Sequence, residues 1–399
     1  ERSYRKMLKR MPADGQDQLK LTLWQNLGEI YRTRMNDYKS AAAAFDIAAR
    51  LDHTNANRHL ILAELYEQLL DENPDEYVPK AVNSHQTLIS VEPFRTESYH
   101  ALYKIYRKSN QTDKAFCVAS VLVFLKKANS EQQAFFDKYR PQGFVQARQR
   151  LSEETMRKHV FHPDQDHYLT AIMGTIAPAI AAWQAKDVPS SMSASDRVDI
   201  QVEPSLFARM AKYTKDVINV APPDVYLRPK DPGDLSLMNT KRDGQVHPAM
   251  VVFSGLLRGK KEQHLAFALG RHMMDLYPPH YAYVALDRSH RNLKDVLMAL
   301  LKGAGVPVPG DAATYDQIAR QVAGRLGAAQ VDQLNSLIKK FVAAGGAVDV
   351  KSWAGAAELT SYRVGLLLCG DLTTAALMVS QEQGQLGSAI SPKDKIKEL

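Results

Sequence analysis

The sequence predicts a mainly α-helical protein: a helical-hairpin repeat solenoid followed by a predominantly helical second part with a small β-sheet. Three observations carry that expectation. A Trp-x2-Leu-Gly-x2-Tyr pattern opens a series of similar helical pairs in the first 130 residues. Most later apolar runs repeat with helical period. Only two short runs, "PDVYLRP" and "AMVVFSGLL", are bounded by Pro or Gly in the manner of strands.

The repeats come first. "LWQNLGEIY" places Trp24, Leu27, Gly28 and Tyr31 on a first helix, and "AAAAFDIAARL" supplies Ala41, Phe45 and Ala48 to a second. The next pair uses Leu62, Ala63 and Tyr66, then Ala81, His85, Leu88 and Pro93 after an insertion around "DENPDEYVP". A third uses Tyr99, Leu102, Tyr103 and Tyr106, then Ala115, Ala119 and Leu122. Tyr4, Met7 and Pro12 fit the second helix of a preceding unit, so the array is expected to start before residue 1. These units resemble tetratricopeptide repeats. One such unit cannot bury its apolar face alone, so stacking is obligatory.

The resemblance implies a concave face built from the first helix of each pair. Its inward positions are Gln25, Glu29 and Arg32, then Asn57, Leu60, Glu64 and Glu67, then His100, Lys104, Arg107 and Lys108. The Lys/Asn pattern of family members that clamp a C-terminal carboxylate is absent. A face that runs from acidic to basic suits an extended or helical charged segment of another protein.

"FFDKYRPQGF" (Phe135–Phe144) closes the array, and Pro163 marks a second boundary. The expected division is therefore an array over 1–130, a connector over 131–163 and a second domain over 164–399. That domain opens with the apolar run Tyr168–Trp183, which is shorter than the ~20 residues of a membrane span. It contains Gly174 and Pro178 and reads as a buried helix. A helix over Pro204–Val220 follows, then the two strand-like runs. The turn-rich "DPGDLSLMNTKRDGQVH" between them reads as a hairpin or loop.

Two later segments carry the chemistry. "VVFSGLLRGKKEQHLAFALGRH" has the cadence of a strand leading into a peptidase helix, and "ELTSYRVGLLL", continued by "CGDLTTAALMV", matches a later glutamate motif. Over roughly 160–380 the chain resembles the HtpX-type zinc metallopeptidases, relatives of the CaaX prenyl endopeptidase. In that family, His at i and i+4 of one helix share a face and hold zinc, with a Glu between them as general base.

Here Arg271 stands at the first ligand position, His272 at the general-base position and Asp275 at the second ligand position. Glu358 keeps the third ligand position, and Tyr362 replaces the family's Asp. Arginine does not lose its proton at accessible pH and repels a cation. His272 lies about 100° around the helix from the ligand register and is expected to face away. The expectation is a vestigial zinc site without metal or other cofactor, in which Arg271 pairs with Glu358 and Asp275. Asp275 and Glu358 as ligands of a hard cation, or His272, His280 and His290 in acid–base work, are weaker alternatives.

Bulk properties narrow the functional classes. A net charge of +7 without a long basic block gives little support to nucleic-acid binding. Two distant cysteines, Cys117 and Cys369, read as buried, reduced thiols, and no signal-peptide core opens the chain. The combined expectation is a non-catalytic scaffold or assembly factor of a bacterial cytoplasm that binds other proteins. The domain is expected to keep a substrate-like groove along the "VVFSGLL" edge strand. A metal-dependent peptidase with rearranged ligands, or a structural spacer of a giant repeat protein, stays open as an alternative.

Overall fold

A computed structural model describes residues 1–12, 15–382 and 390–399. The chain forms two compact units, Glu1–Arg140 and Pro141–Leu399. The protein is mainly α, as its sequence predicts. The expected connector over 131–163 does not stand alone. Its first residues belong to a helix of the first unit. The rest folds into the second, where Phe144 stacks edge-on against Tyr213 and Met156 and Val160 enter a core.

The first unit consists of α1 (Arg2–Arg10), α2 (Asp17–Ile30), α3 (Tyr38–Leu51), α4 (Ala56–Leu69), α5 (Pro74–Val91), α6 (Thr96–Lys108), α7 (Thr112–Phe124) and α8 (Ser130–Tyr139). Short loops make neighbouring helices antiparallel, and α2–α3, α4–α5 and α6–α7 pack as hairpins, each against the next. Caps set the starts: Asp37 accepts from the Ser40 N–H and Asn55 from the Arg58 N–H. α2 ends in a π turn, Tyr31–Met35, stopped by Asn36 at φ 52°.

The small and aromatic positions read from the sequence form the core. Ala41, Phe45 and Ala48 are buried, as are Leu62, Ala63, Tyr66, Tyr103, Ala115 and Ala119. Gly28 has a steric reason: a Cβ there would lie 2.8 Å from the Phe45 ring. The "DENPDEYVP" insertion is no loop excursion. Pro74 opens α5, so the extra residues lengthen that helix to 18 residues.

The second unit opens with α9 (Glu153–Thr155), which runs into a π turn at Met156–Val160, then α10 (His167–Gln184). α10 is the apolar run, and its Ile172, Met173, Ile176 and Ile180 are buried. Among the described residues no helix is long and apolar enough to cross a membrane. Next come β1 (Lys186–Asp187), β2 (Arg197–Val198), α11 (Leu206–Ile218), β3 (Asp224–Arg228), β4 (Leu235–Met238), β5 (Thr240–Arg242), β6 (Gln245–Val246) and β7 (Ala249–Phe253). The order in the larger sheet is β2-β3-β7-β4, with β3 parallel and β4 antiparallel to β7. A smaller sheet runs β1-β5-β6.

Side chains of β7 alternate: Met250 and Val252 enter the main core, whereas Ala249 and Val251 enter a smaller cluster with Tyr226. Two expectations change here. "AMVVFSGLL" is a strand only to Phe253, because Ser254–Leu257 turn into the short helix α12. Gly255 permits that turn, since a Cβ on it would lie 2.6 Å from the Gly233 carbonyl oxygen. The turn-rich stretch before β7 contributes β4, a strand of the main sheet.

Helices complete the unit: α13 (Glu262–Met274), α14 (Pro278–Ala285), α15 (His290–Gly303), α16 (Ala312–Ala323), α17 (Ala328–Ala343), α18 (Val350–Cys369), α19 (Leu372–Gln381) and α20 (Pro392–Glu398). α18 serves two cores. Val350, Trp353 and Ala354 pack with α10 and α15, while Tyr362, Val364 and Leu368 pack with α11, α13 and the sheet. Cys369 is buried as expected, but Cys117 is exposed on α7, and both thiols are free.

Candidate functional site

Two glycines position the site. A Cβ on Gly270 of α13 would lie 3.1 Å from the Gly365 Cα and 2.9 Å from Leu368 Cδ1. A Cβ on Gly365 of α18 would lie 2.9 Å from the Phe267 carbonyl oxygen. The two motif helices therefore cross at nearly bare backbone, which places Arg271 against Tyr362.

Arg271 is only 4% exposed. Its Nε stands 2.9 Å from Glu382 Oε1, close enough for an ion pair but too poorly aligned for a hydrogen bond there. The guanidinium lies over the Tyr362 ring, 4.7 Å from its centroid. Burial opposes the charge, but Glu382, Tyr362 and Asp275 outweigh it and hold the arginine above its ordinary range. Tyr362 is fully buried and donates its hydroxyl to Glu382. Burial raises its phenol, and Arg271 opposes that rise.

The ion pairs differ from the sequence expectation. Arg271 takes Glu382, and Glu358 takes Lys395 of α20, whose Nζ is 2.9 Å from Glu358 Oε1. The Lys395 ammonium also lies over the Tyr362 ring at 4.9 Å, so this one ring meets two cations. Asp275 pairs with Arg288 at 2.6 Å. The physical reason for the redistribution is reach: Glu382 and α20 arrive at the motif helices from the C-terminal part of the chain.

His272 does not face away. Its ring lies against Arg271, whose Nη1 is 2.9 Å from Nε2 and 3.2 Å from Nδ1. Burial, Arg271 and Arg288 push the imidazole well below its ordinary pKa, so a neutral ring accepts from the guanidinium. His280, which the alternative reading offered for acid–base work, is a core residue at 3% exposure. It meets Gln165 Nε2 at 3.0 Å and the rings of Phe161, Tyr277 and Trp353. Burial pushes it down to about 4. His290 stacks on Tyr283.

Zinc does not fit these residues. Arg271 is a fixed cation that cannot ligate a metal, Asp275 is paired with Arg288, and Glu358 is paired with Lys395. Among the described residues no three His, Cys, Asp or Glu side chains group as a metal would need.

Beside this cluster lies a cleft of about 630 Å³. One wall is β4 with Leu235, Ser236 and Leu237, and the other is α13 with Phe267, Ala268, Arg271 and His272. The "VVFSGLL" strand is β7, flanked on both sides, and the sheet edge is β4. The Phe253 N–H donates to the Asp234 carbonyl, so Asp234 and, by alternation, Ser236 and Met238 bond toward β7. Leu235 and Leu237 then direct their backbone N–H and C=O outward, along an edge that no strand among the described residues covers.

In the first unit, the predicted groove positions are exposed or half-buried, but several bind one another. Arg32 pairs with Glu29 at 3.0 Å and reaches Glu64 at 3.9 Å, which links α2 to α4. Glu67 meets His85 at 2.9 Å. Lys108 is drawn to Asp71, and Arg107 lies over Phe135, 4.4 Å from its centroid. His100 bonds Gln132 at 2.9 Å. The acidic-to-basic contrast is thus partly spent within the unit, while Gln25, Asn57 and Lys104 are exposed.

Sequence reasoning missed Glu382, Lys395, Arg288 and the β4 edge. A signal for α20 exists, since Ser391-Pro392-x-Asp394 is a helix start with Ser391 as cap. Nothing local marks its docking. No protein-family model and no curated protein sequence matches the chain.

Proposed function

We propose that this chain is a non-catalytic protein-interaction scaffold, with a tetratricopeptide-like array joined to a peptidase-like domain that binds an extended segment without cutting it. One observation carries the reading. A cleft bounded by the β4 edge lies beside α13, and the helix position that the resemblance to zinc peptidases gives to a first ligand holds a buried Arg271 paired with Glu382. A strand edge recognises backbone through N–H and C=O groups whether or not chemistry follows. Hydrolysis needs an activated water, and a buried guanidinium next to a neutral imidazole supplies neither a metal nor a strong base. The hairpins of the first unit support the same class of function, because stacked helical pairs expose a continuous polar face to a partner. A scaffold of this kind suits a bacterial cytoplasm, where it would assemble other proteins.

Elemental analysis and a protease assay test the reading together. The protein purified without added metal is expected to carry far less than one zinc per chain, to keep its thermal midpoint in chelator, and to leave unstructured casein intact. Stoichiometric zinc that is needed for folding, or casein cleavage lost on Arg271→Ala, would overturn it.

A further inference from the structure

The walls of the cleft are not uniform, and their spacing defines a ligand. Along α13 the lining changes within one turn from Phe267 and Ala268 to Arg271 and His272. Leu256 and Met378 add to the apolar lining, and Arg288 joins the cationic residues. One helical turn advances about 5.4 Å, and side chains at i and i+2 of a strand share a face about 6.6 Å apart. A strand added to β4 and running along α13 would space its alternate side chains about one helical turn apart.

The charges along this lining are also ordered. Glu382 is held by Arg271 and the Tyr362 hydroxyl. Asp275, the counter-ion of Arg288, is buried and lies outside the cleft lining, whereas the Arg288 side chain is 22% exposed and belongs to it. A guanidinium carries five N–H donors, and Asp275 takes a contact at Nη2. Lys260, half-buried in the same lining, has no ion pair among the described residues. Among the described residues Asp234 is the one lining carboxylate without such a cation, and it lies beside Gly255, near the α12 end.

We infer that the cleft takes an extended segment of another protein bearing an apolar side chain and, two residues along, a carboxylate. The apolar group fills the space lined by Leu256, Phe267 and Ala268, the carboxylate accepts from Arg288, and the backbone pairs with Leu235 and Leu237. This assignment rests on the reading of the cleft as a peptide-binding edge.

Fluorescein-labelled hexapeptides added to the full chain, read by anisotropy, test it. The set carries Leu-Thr-Glu, Leu-Thr-Gln, Leu-Thr-Lys or Leu-Glu-Thr at its centre, together with a Leu-Thr-Glu peptide N-methylated on alternate amides. Leu-Thr-Glu is expected to bind about tenfold tighter than Leu-Thr-Gln, the size of one charge-assisted contact. Leu-Thr-Lys and Leu-Glu-Thr are expected to be weaker still, and N-methylation is expected to abolish binding. Arg288→Gln should bring the Glu and Gln peptides together, and Arg288→Lys should retain part of the preference if the Gln variant does not fold. Equal binding of the Glu, Gln and Lys peptides refutes the carboxylate assignment and leaves the edge-strand reading standing. Undiminished binding of the N-methylated peptide, or no binding by any peptide, refutes both.

Discussion

Lys395 gives the most direct test of the charge cluster, because its removal leaves a carboxylate that the fold has largely enclosed. Its side chain is 6% exposed and that of Glu358 17%, with 2.9 Å between Nζ and Oε1. Lys395→Met keeps most of the stem and deletes only the ammonium. Breaking one side of a buried ion pair costs about 3–5 kcal/mol. The residual access of water to Glu358 argues for the lower end, about 3 kcal/mol. Loss of the cation over the Tyr362 ring is part of that figure rather than an addition to it. At about 2–4 °C per kcal/mol for a unit of this size, the midpoint of the second unit falls by about 6–12 °C. Urea denaturation of Lys395→Met, Glu358→Gln and the double variant closes a cycle. The double variant should recover at least about 1.5 kcal/mol relative to the sum of the singles. A loss below about 1 kcal/mol for Lys395→Met, with additive singles, would refute the claim that α20 supplies a structural counter-charge.

Other perturbations probe the frame around the site. Gly365→Ala should lower the urea midpoint, because a Cβ 2.9 Å from a backbone oxygen costs about 1–3 kcal/mol and outweighs the roughly 1 kcal/mol gained in helix propensity; a raised midpoint would dissociate the glycine crossing from stability. Gly28→Ala should do the same in the first unit through the Phe45 ring. His280 should make the second unit acid-labile. Unfolded, it takes a proton near pH 6.5, and folded only near about 4, so the unfolded state holds more protons between these values. Stability is complete above about pH 6.5 and falls by about 3 kcal/mol as pH drops to about 4. His272 acts in the same direction, so His280→Gln should flatten the profile in part, and an unchanged slope would exclude His280 as a source. On the first unit, Lys104→Glu with Arg107→Glu and Lys108→Glu should leave helicity intact, since the Lys108–Asp71 pair is exposed. The triple variant should weaken binding of a glutamate-rich dodecapeptide and its salt dependence; unchanged affinity would place that interaction elsewhere.

Local periodicity suffices to place the helices and their buried faces. Ala41, Phe45, Ala48, Leu62, Tyr66 and Ala119 were legible as core positions because small and aromatic residues recur where helices cross. The apolar run of α10 was legible as a buried helix from its length, and the exclusion of Arg271 as a metal ligand followed from guanidinium chemistry alone. The tertiary structure decided what depends on distant partners. β4 hides among turn residues because four residues carry little periodic signal, and its edge position exists only once β7 pairs on its other side. The partner of Arg271 differs from the sequence expectation for a related reason. Glu358 stands at the position that the motif comparison favoured, yet Glu382 and Lys395 reach the cluster through chain that follows α18, and ion pairing is set by distance in space, which no spacing along the chain encodes. His272 shows the same limit at one residue. Its place on the helix pointed it away, yet the Arg271 guanidinium lies against the ring at 2.9 Å.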